Sequence, residues 1–228
     1  MNESILKALM QMFAIVATVD SEGVSADARK IVESYLKLQL SQSVAAEYLN
    51  LFDKYLEEQS GSVRKHTDGT QSKRNSRNSV KVLKICNEIN ETLEQYDKII
   101  VVIRLLEFAG SNVTDKELDF INTVADTFNI TFEEYNDLKS FVIYDVDQIV
   151  DQSQLMIVNS KQQLDSSLQN VKHNFEKNLK GDLLIFRMKS SNLLFVKYIG
   201  EEDVLLNSSP LVPKRTYVFG NGAVLKNS

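Results

Sequence analysis

The most informative stretch of the chain lies at residues 98–130, which read KIIVVIRLLEFAGSNVTDKELDFINTVADTFNI. Its first part, 98–108, is apolar nearly all round, which is typical of a helix buried at the centre of a helical bundle. After a short loop, Thr114-x-x-Glu117 has the form of a capping box at the start of a helix. The apolar residues of that helix recur at helical spacing, at Leu118, Ile121, Ala125 and Phe128. The stretch therefore predicts two helices joined by a loop within an all-α domain.

Helical patterning continues on both sides of this stretch. The only two prolines lie near the C-terminus, so no proline interrupts a helix before Pro210. A buried helix is predicted over 4–18, and helical periodicity resumes near residue 80. Further helix starts are predicted near Ser25, at Ser41 or Ser43, and at a second capping box, Thr131-x-x-Glu134. We expect these helices to form one bundle over residues 1–148.

The helical part also looks duplicated. Each half has an apolar helix, a small-residue loop, an inward-facing helix and a capped final helix. The matching positions are Val24-Ser25 with Val113-Thr114, Ile31-Val32 with Phe120-Ile121, and Glu47-Tyr48 with Glu134-Tyr135. Duplication of this kind is one way to build a single core from two similar groups of helices.

The two loops carry a resemblance to a known family. Residues 17–25, ATVDSEGVS, and 108–117, FAGSNVTDKE, stand where the TerB-like family has an Ala-Asp-Gly-x-Ile/Val-Ser/Thr-x-x-Glu motif. The chain departs from the motif in both halves, because an insertion separates Asp20 from Gly23, Ala28 replaces the expected Glu, and Gly110 replaces the expected Asp.

The family includes the tellurite-resistance protein TerB and the N-terminal domain of the DjlA co-chaperones. The resemblance covers about the first 145 residues and implies a role in stress response or in membrane-associated complexes, with metal sensing as a further property. The order of helices followed by a β segment is also similar to the N-terminal region of certain large bacterial ABC-type ATPases. It implies an accessory module of a larger protein.

The acidic residues of the two loops suggest a metal site as an alternative. Oxygen ligands for a divalent cation could come from Asp20, Glu22, Asp27, Asp115 and Glu117. The competing interpretation is helix capping, since carboxylates at a helix N-terminus compensate the macrodipole and Glu117 already belongs to a capping box. Neither loop has the alternating ligands of a calcium-binding loop.

Residues 60–79, SGSVRKHTDGTQSKRNSRNS, interrupt the apolar pattern and predict a flexible basic loop. Its basic residues are Arg64, Lys65, Lys73, Arg74 and Arg77. They could contact a partner, anionic lipid or phosphate, or the segment could be a solvated linker. It lacks aromatic residues for base stacking, and the chain has a net charge of −5, so nucleic acid is not an expected partner.

From residue 149 the pattern changes to short apolar or alternating runs, which predict strands. The five runs are 154–159, 182–189, 192–199, 203–207 and 216–219. Five short strands are few for an independent sandwich or barrel, so we expect residues 149–228 to be an incomplete β-rich domain. The predicted fold class is thus α+β and multidomain, with an all-α TerB-like bundle followed by a partial β segment.

No recognisable catalytic motif occurs. There is no Gly-x-Ser-x-Gly elbow or Walker loop, the single Cys86 lies on an apolar helical stripe, and the two histidines are far apart in sequence. Gly220-x-Gly222 is interpreted as a turn. We therefore expect no catalytic residues and no cofactor, apart from the alternative of a divalent cation.

We expect this protein to be a non-catalytic regulatory or protein-interaction module that binds a protein partner. Its expected location is cytoplasmic or peripheral to the inner membrane, because the chain shows no signal peptide and no run of about 18 apolar residues. The alternative function is a divalent-metal-responsive sensor that uses the acidic helix-start loops.

Overall fold

The computed structural model describes residues 3–19, 28–37, 40–64, 71–91, 93–110, 112–143 and 146–227. The chain divides into two compact units, Met1–Phe132 and Glu133–Ser228. The first unit is helical in the described residues, and the second contains one α-helix and two β-sheets. The fold is therefore mixed α+β, with the helices before the strands, as the sequence predicts.

Among the residues that the structure describes, six helices lie within the first unit. They are α1 (Glu3–Val19), α2 (Ala28–Lys37), α3 (Gln42–Arg64), α4 (Gln71–Asn90), α5 (Gln95–Ala109) and α6 (Asp115–Thr127). The predicted start of the third helix is confirmed, because α3 begins directly after Ser41 and the Ala45 N–H donates to the Ser41 carbonyl at 2.9 Å.

Helices α1 and α5 supply most of the helical core. Both are apolar nearly all round, so each can pack against several neighbours at once. α1 packs against α3, α4, α5 and α6, and Phe13 stacks on Phe108 of α5 with ring centroids 4.8 Å apart. The predicted burial of the 98–108 helix is confirmed, since even Arg104 is buried there, paired with Glu107.

The predicted flexible loop at 60–79 is wrong over most of its length. Residues 60–64 are the last turn of α3, and residues 71–79 are the first two turns of α4. Once a helix is anchored by packed residues, each further residue adds one hydrogen bond for the ordering of a single residue, whereas nucleation orders three. In α4 the anchors are Val82, Cys86 and Ile89, which are buried, so the polar segment continues their helix. Residues 65–70 lie outside the described residues.

Helix α7 (Phe132–Ile143) starts at the last residue of the first unit and otherwise belongs to the second, whose described residues also form eight strands. The strands are β1 (Leu155–Asn159), β2 (Lys172–Phe175), β3 (Asp182–Met188), β4 (Leu193–Ile199), β5 (Val204–Leu206), β6 (Ser209–Pro210), β7 (Thr216–Val218) and β8 (Leu225–Asn227). All five predicted runs contain a strand, while β2, β6 and β8 were not predicted.

The strands form a five-stranded sheet in the order β2-β1-β3-β4-β7 and a three-stranded sheet in the order β6-β5-β8. β1 and β2 are parallel, and the other pairs are antiparallel. Both faces of the larger sheet are covered within this unit. Because side chains alternate along a strand, each strand contributes to a front face and a back face.

Helix α7 covers the back face. Phe141 stacks on Phe186 of β3 with ring centroids 5.3 Å apart, and its carbonyl accepts a hydrogen bond from the buried ammonium of Lys197 on β4. At the other end of α7, the Glu134 carboxylate accepts a hydrogen bond from the Ser190 N–H at 2.9 Å. We expected α7 in the helical domain ending at residue 148, but it is grouped with the strands.

The front face packs with the smaller sheet. Leu183, Ile185, Val196 and Tyr198 share one apolar cluster with Val204 of β5. The fully buried Tyr198 hydroxyl donates to the Lys180 carbonyl at 2.5 Å. There is no room for a side chain at Gly200, because an added Cβ would lie 2.2 Å from the Tyr198 hydroxyl oxygen.

The predicted duplication of the helices stays a prediction. α3, the third helix of the first half, packs against α1 and α2. Its predicted counterpart α7 packs instead on the back face of the sheet.

Candidate functional site

The described part of the predicted acidic site is a helix cap. Thr114 and Glu117 form the predicted capping box, in which the Thr114 N–H donates to Glu117 Oε2 at 2.8 Å and the Glu117 N–H donates to Thr114 Oγ1 at 3.3 Å. Asp115 is the first residue of α6, where its negative charge favours the helix dipole. The capping interpretation is thus confirmed for Glu117.

The other three acidic residues, Asp20, Glu22 and Asp27, lie outside the described residues. Across the part of the chain that the structure describes, no group of three or more His, Cys, Asp or Glu side chains is placed to hold a metal ion. The metal site therefore stays a prediction that depends on the first loop.

The predicted basic residues are distributed over two helices. Arg64 ends α3, and Lys73, Arg74 and Arg77 lie within the first turns of α4, while Lys65 lies outside the described residues. Large apolar side chains follow on the same helix, because Val80 is 66% exposed and Leu83 is 42% exposed. Helix α4 thus combines basic sequence with exposed apolar surface.

Cys86 is a core residue, as predicted. Its side chain is fully buried, and burial raises the pKa of the Cys86 thiol to about 12. A thiol with this pKa is a poor nucleophile near neutral pH, because the thiolate is the reactive form.

His173 belongs to a polar network at the end of the larger sheet. Its Nε2 lies 2.9 Å from Asn159 Oδ1, which also accepts the Lys161 N–H, while Asn159 Nδ2 donates to Asp182 at 2.6 Å. Since Oδ1 is an acceptor, Nε2 carries the proton and donates. The network satisfies the buried Asn159 amide and ties β1, β2 and β3 together.

An open cavity of about 220 Å³ lies on the front face of the larger sheet. It is lined by Ser153, Gln154, Leu155, Met156, Lys172, Ile185, Arg187, Leu194 and Phe219. We call this set the front cavity. Met156, Leu194 and Phe219 are only partly buried, although they pack against the apolar cluster of this unit. The cavity floor is therefore apolar surface that the protein itself does not fully cover.

The strand register builds the front cavity from two rows of side chains. In the first row, Met156 of β1 lies opposite Lys172 of β2 and opposite Ile185 of β3. In the second row, Leu194 of β4 lies opposite Arg187 of β3. Phe219 extends that second row, because its N–H donates to the Leu194 carbonyl at 2.8 Å.

The lining of the front cavity carries positive charge only. Lys172 and Arg187 are both exposed, and no Asp or Glu is among the lining residues. Arg187 Nε donates to Asn192 Oδ1 at 2.8 Å. Asn192 lies in the β3–β4 turn with φ of 54°, a left-handed conformation that asparagine adopts more readily than most residues. The turn thereby holds the guanidinium at the edge of the cavity.

This composition suits recognition of an apolar group next to an anion. Arg and Lys donate charge-assisted hydrogen bonds to carboxylates, and the floor can bury an apolar side chain. The lining includes no Asp, Glu, His or Cys, the side chains that most often bind transition metals in proteins.

No sequence pattern predicts the front cavity. Lys172 is the first residue of β2, a polar strand that was not predicted, and Arg187 lies in the mostly apolar strand β3. Only the register, with Lys172 opposite Met156 and Arg187 opposite Leu194, places them around one cavity.

No family model matches the chain, and no match is found among curated proteins or solved structures. The resemblance to the TerB-like family therefore stays a prediction. Among the helices that the structure describes, none is both long enough and apolar enough to cross a bilayer.

Proposed function

We propose that this protein is a non-catalytic interaction module, and that the front cavity receives an apolar and acidic segment of a protein partner. The module would serve as a regulatory or accessory part of a larger cytoplasmic or membrane-associated assembly, in line with the TerB-like resemblance. The observation that carries the proposal is the partly buried apolar floor of the front cavity beside two cations.

The charge distribution supports this choice of partner. The chain has a net charge of −5, yet the front cavity brings Lys172 and Arg187 together without an acidic lining residue. Local positive charge on an acidic protein attracts acidic segments and disfavours basic ones. The apolar floor adds the burial that stabilises the complex.

The size of the cavity favours a side chain over a cofactor. Its volume of about 220 Å³ is below the range of roughly 300–1,000 Å³ that is usual for small-molecule sites. The lining also offers no carboxylate or imidazole for proton transfer. These features support binding as the role of this surface.

The test is a selection of displayed random peptides on the immobilised full chain, followed by affinity measurements on the enriched peptides. We expect enrichment of peptides that combine apolar and acidic residues. Phe219→Ser and Arg187→Glu should weaken their binding, whereas Lys177→Glu should not, because Lys177 is exposed and does not line the cavity. Circular dichroism would check that the variants are folded.

Two results would overturn the proposal. One is a selection that enriches no peptide above background. The other is a set of enriched peptides that bind the Phe219→Ser and Arg187→Glu variants as tightly as the unaltered chain.

Helix α4 is proposed as a second contact for an acidic protein segment. Val80 and Leu83 are exposed apolar side chains, and the side chain of Lys84 is 77% exposed. They follow the basic positions Lys73, Arg74 and Arg77 on the same helix. A helix that combines exposed basic and apolar side chains fits an acidic amphipathic partner.

A further inference from the structure

We infer that the front cavity recognises the carboxyl-terminal residue of a partner protein, with its apolar side chain on the cavity floor and its α-carboxylate on Arg187. This inference rests on the proposed function and specifies the partner segment. Such recognition requires a cation with free hydrogen-bond donors, an apolar floor beside that cation, and a cavity of suitable size.

Arg187 has the free donors. Its Nε is occupied by Asn192 at 2.8 Å, and within the described residues its two terminal nitrogens make no hydrogen bond or ion pair. A guanidinium that is held at Nε presents those terminal nitrogens side by side, which matches the two oxygens of a carboxylate. The bond to Asn192 limits the side-chain freedom that ligand binding would otherwise have to restrict.

The strand register places Arg187 next to the apolar floor. Arg187 lies directly opposite Leu194, so their Cβ atoms are about 5 Å apart. It is two residues from Ile185 on β3, a separation of about 7 Å along the strand. A terminal residue carries its side chain and its carboxylate on the same Cα, so the two groups can reach these neighbouring positions together.

An internal acidic residue would bind at a greater entropic cost. Its carboxylate stands at the end of a flexible side chain, and the next side chain on the same face of an extended segment is two residues away, about 7 Å along the chain. Binding would then order two side chains instead of one, at a further entropic cost. The smaller entropic cost thus favours the chain terminus.

Lys172 extends the site on the other side. It lies on the edge strand β2, opposite Met156, and β2 is separated from β3 by two strand spacings, about 10 Å. Within the described residues its ammonium makes no ion pair or hydrogen bond. We assign it to an acidic side chain that precedes the terminal residue of the partner.

The experiment measures fluorescence anisotropy of the full chain with matched peptide pools. The probe pool contains fluorescein-labelled hexapeptides that end in Leu, Ile, Val or Phe with a free carboxylate and have a glutamate two residues earlier. The matched pool has the same sequences with a terminal amide. We expect the free acids to bind about tenfold more tightly or better, because an Arg–carboxylate contact of this kind is charge-assisted.

Three variants define the role of each residue. Arg187→Gln should remove the difference between acid and amide, and Lys177→Gln, the matched control, should preserve it. Asn192→Gly keeps a residue that tolerates positive φ but removes the acceptor for Arg187. It should reduce the acid–amide difference without lowering the melting temperature to the same degree as a core substitution, which identifies Asn192 as a positioning residue.

The outcomes separate this inference from the proposed function. Equal binding of acids and amides that still depends on Phe219 would overturn the terminal-carboxylate inference and leave the interaction module intact. Binding of N-acetyl-leucine as tight as that of the peptides would overturn it in favour of a small free carboxylate. Failure of both pools and of all displayed peptides to bind would overturn both.

Discussion

The buried ammonium of Lys197 on β4 donates a hydrogen bond to the carbonyl of Phe141 on α7, and it also lies 5.2 Å from the centroid of the Phe141 ring. Phe141 is in the last turn of α7, where carbonyl groups lack intrahelical donors and carry the negative end of the helix dipole. One side chain thus satisfies the helix end and fixes it on the back face of the sheet.

Lys197→Ala should lower the free energy of unfolding by about 2–4 kcal/mol, because it leaves both a cavity and an unsatisfied carbonyl. Lys197→Met should cost less, since methionine retains an apolar stem of similar length. Chemical denaturation with far-UV circular dichroism measures both, with the exposed Lys177→Ala as control. Equal stability of Lys197→Ala and the unaltered chain would contradict a structural role.

Asp137 should make stability depend on pH. Burial raises the pKa of its carboxyl above the ordinary value, although backbone N–H groups of Val150 and Asp151 oppose the rise. A raised pKa means that the folded state holds the proton more tightly. The contribution of Asp137 to stability is therefore fully present below the unfolded pKa and is lost as pH rises through the folded pKa. Urea midpoints from about pH 4 to pH 7 should show this loss, and Asp137→Asn should remove it. Superimposable pH profiles would exclude Asp137 as the source.

Cys86 should be inert in the folded protein. With a pKa of about 12, only about one thiol in ten thousand is ionised near pH 8, and the side chain is buried. Ellman's reagent should react slowly with the native chain and at once in denaturant. Fast labelling of the native chain would show that the buried face of α4 that carries Cys86 is readily exposed by local unfolding.

The capping box allows a direct test of the metal alternative. Thr114→Ala should destabilise the chain by about 1 kcal/mol through loss of the cap, with or without divalent ions. Melting temperatures measured in EDTA and then in excess Ca²⁺, Mg²⁺, Mn²⁺ or Zn²⁺ test for a bound ion, since a ligand of the native state raises the melting temperature. A saturable increase that is lost in Glu117→Gln would favour the metal-responsive sensor.

Helix α4 should contact a protein partner rather than lipid. We expect no cosedimentation of the chain with vesicles of anionic phospholipid at physiological salt, because the chain has a net charge of −5 and an anionic surface repels it. Vesicle binding that is weakened by a Val80→Ser, Leu83→Ser double variant would instead assign α4 to membranes. Vesicles of neutral phospholipid serve as the control.

Helices α5 and α6 were predictable because each carries its own signals. The Thr114–Glu117 box and the all-apolar 98–108 run determine α6 and α5 through interactions within about one helical turn. The position of α7 was not predictable. Its apolar stripe shows that one face of the helix is buried, but it does not show which element covers that face. Its partners Phe186 and Lys197 are distant in sequence.

The front cavity shows the same limit. Strand β2 was not predicted, because Lys172, His173 and Asn174 do not alternate between apolar and polar side chains. Such a polar sequence is expected for an exposed edge strand. Without β2 and the register of β3 with β4, the sequence does not show that Lys172 and Arg187 line the same cavity. Periodicity reports which side chains face inward, whereas a binding surface depends on pairing between strands.

The contact between Lys197 and Phe141 also has a consequence for biosynthesis. The two residues are 56 positions apart, so on the ribosome α7 is complete well before β4 has been translated. Until then Leu138 and Phe141, both fully buried in the finished fold, have no sheet to cover them. At an elongation rate of about 5–20 residues per second, the apolar face of α7 stays exposed for several seconds, during which chaperones can bind it. Truncation of the chain after residue 148 would make that exposure permanent, whereas truncation after residue 132 would avoid it.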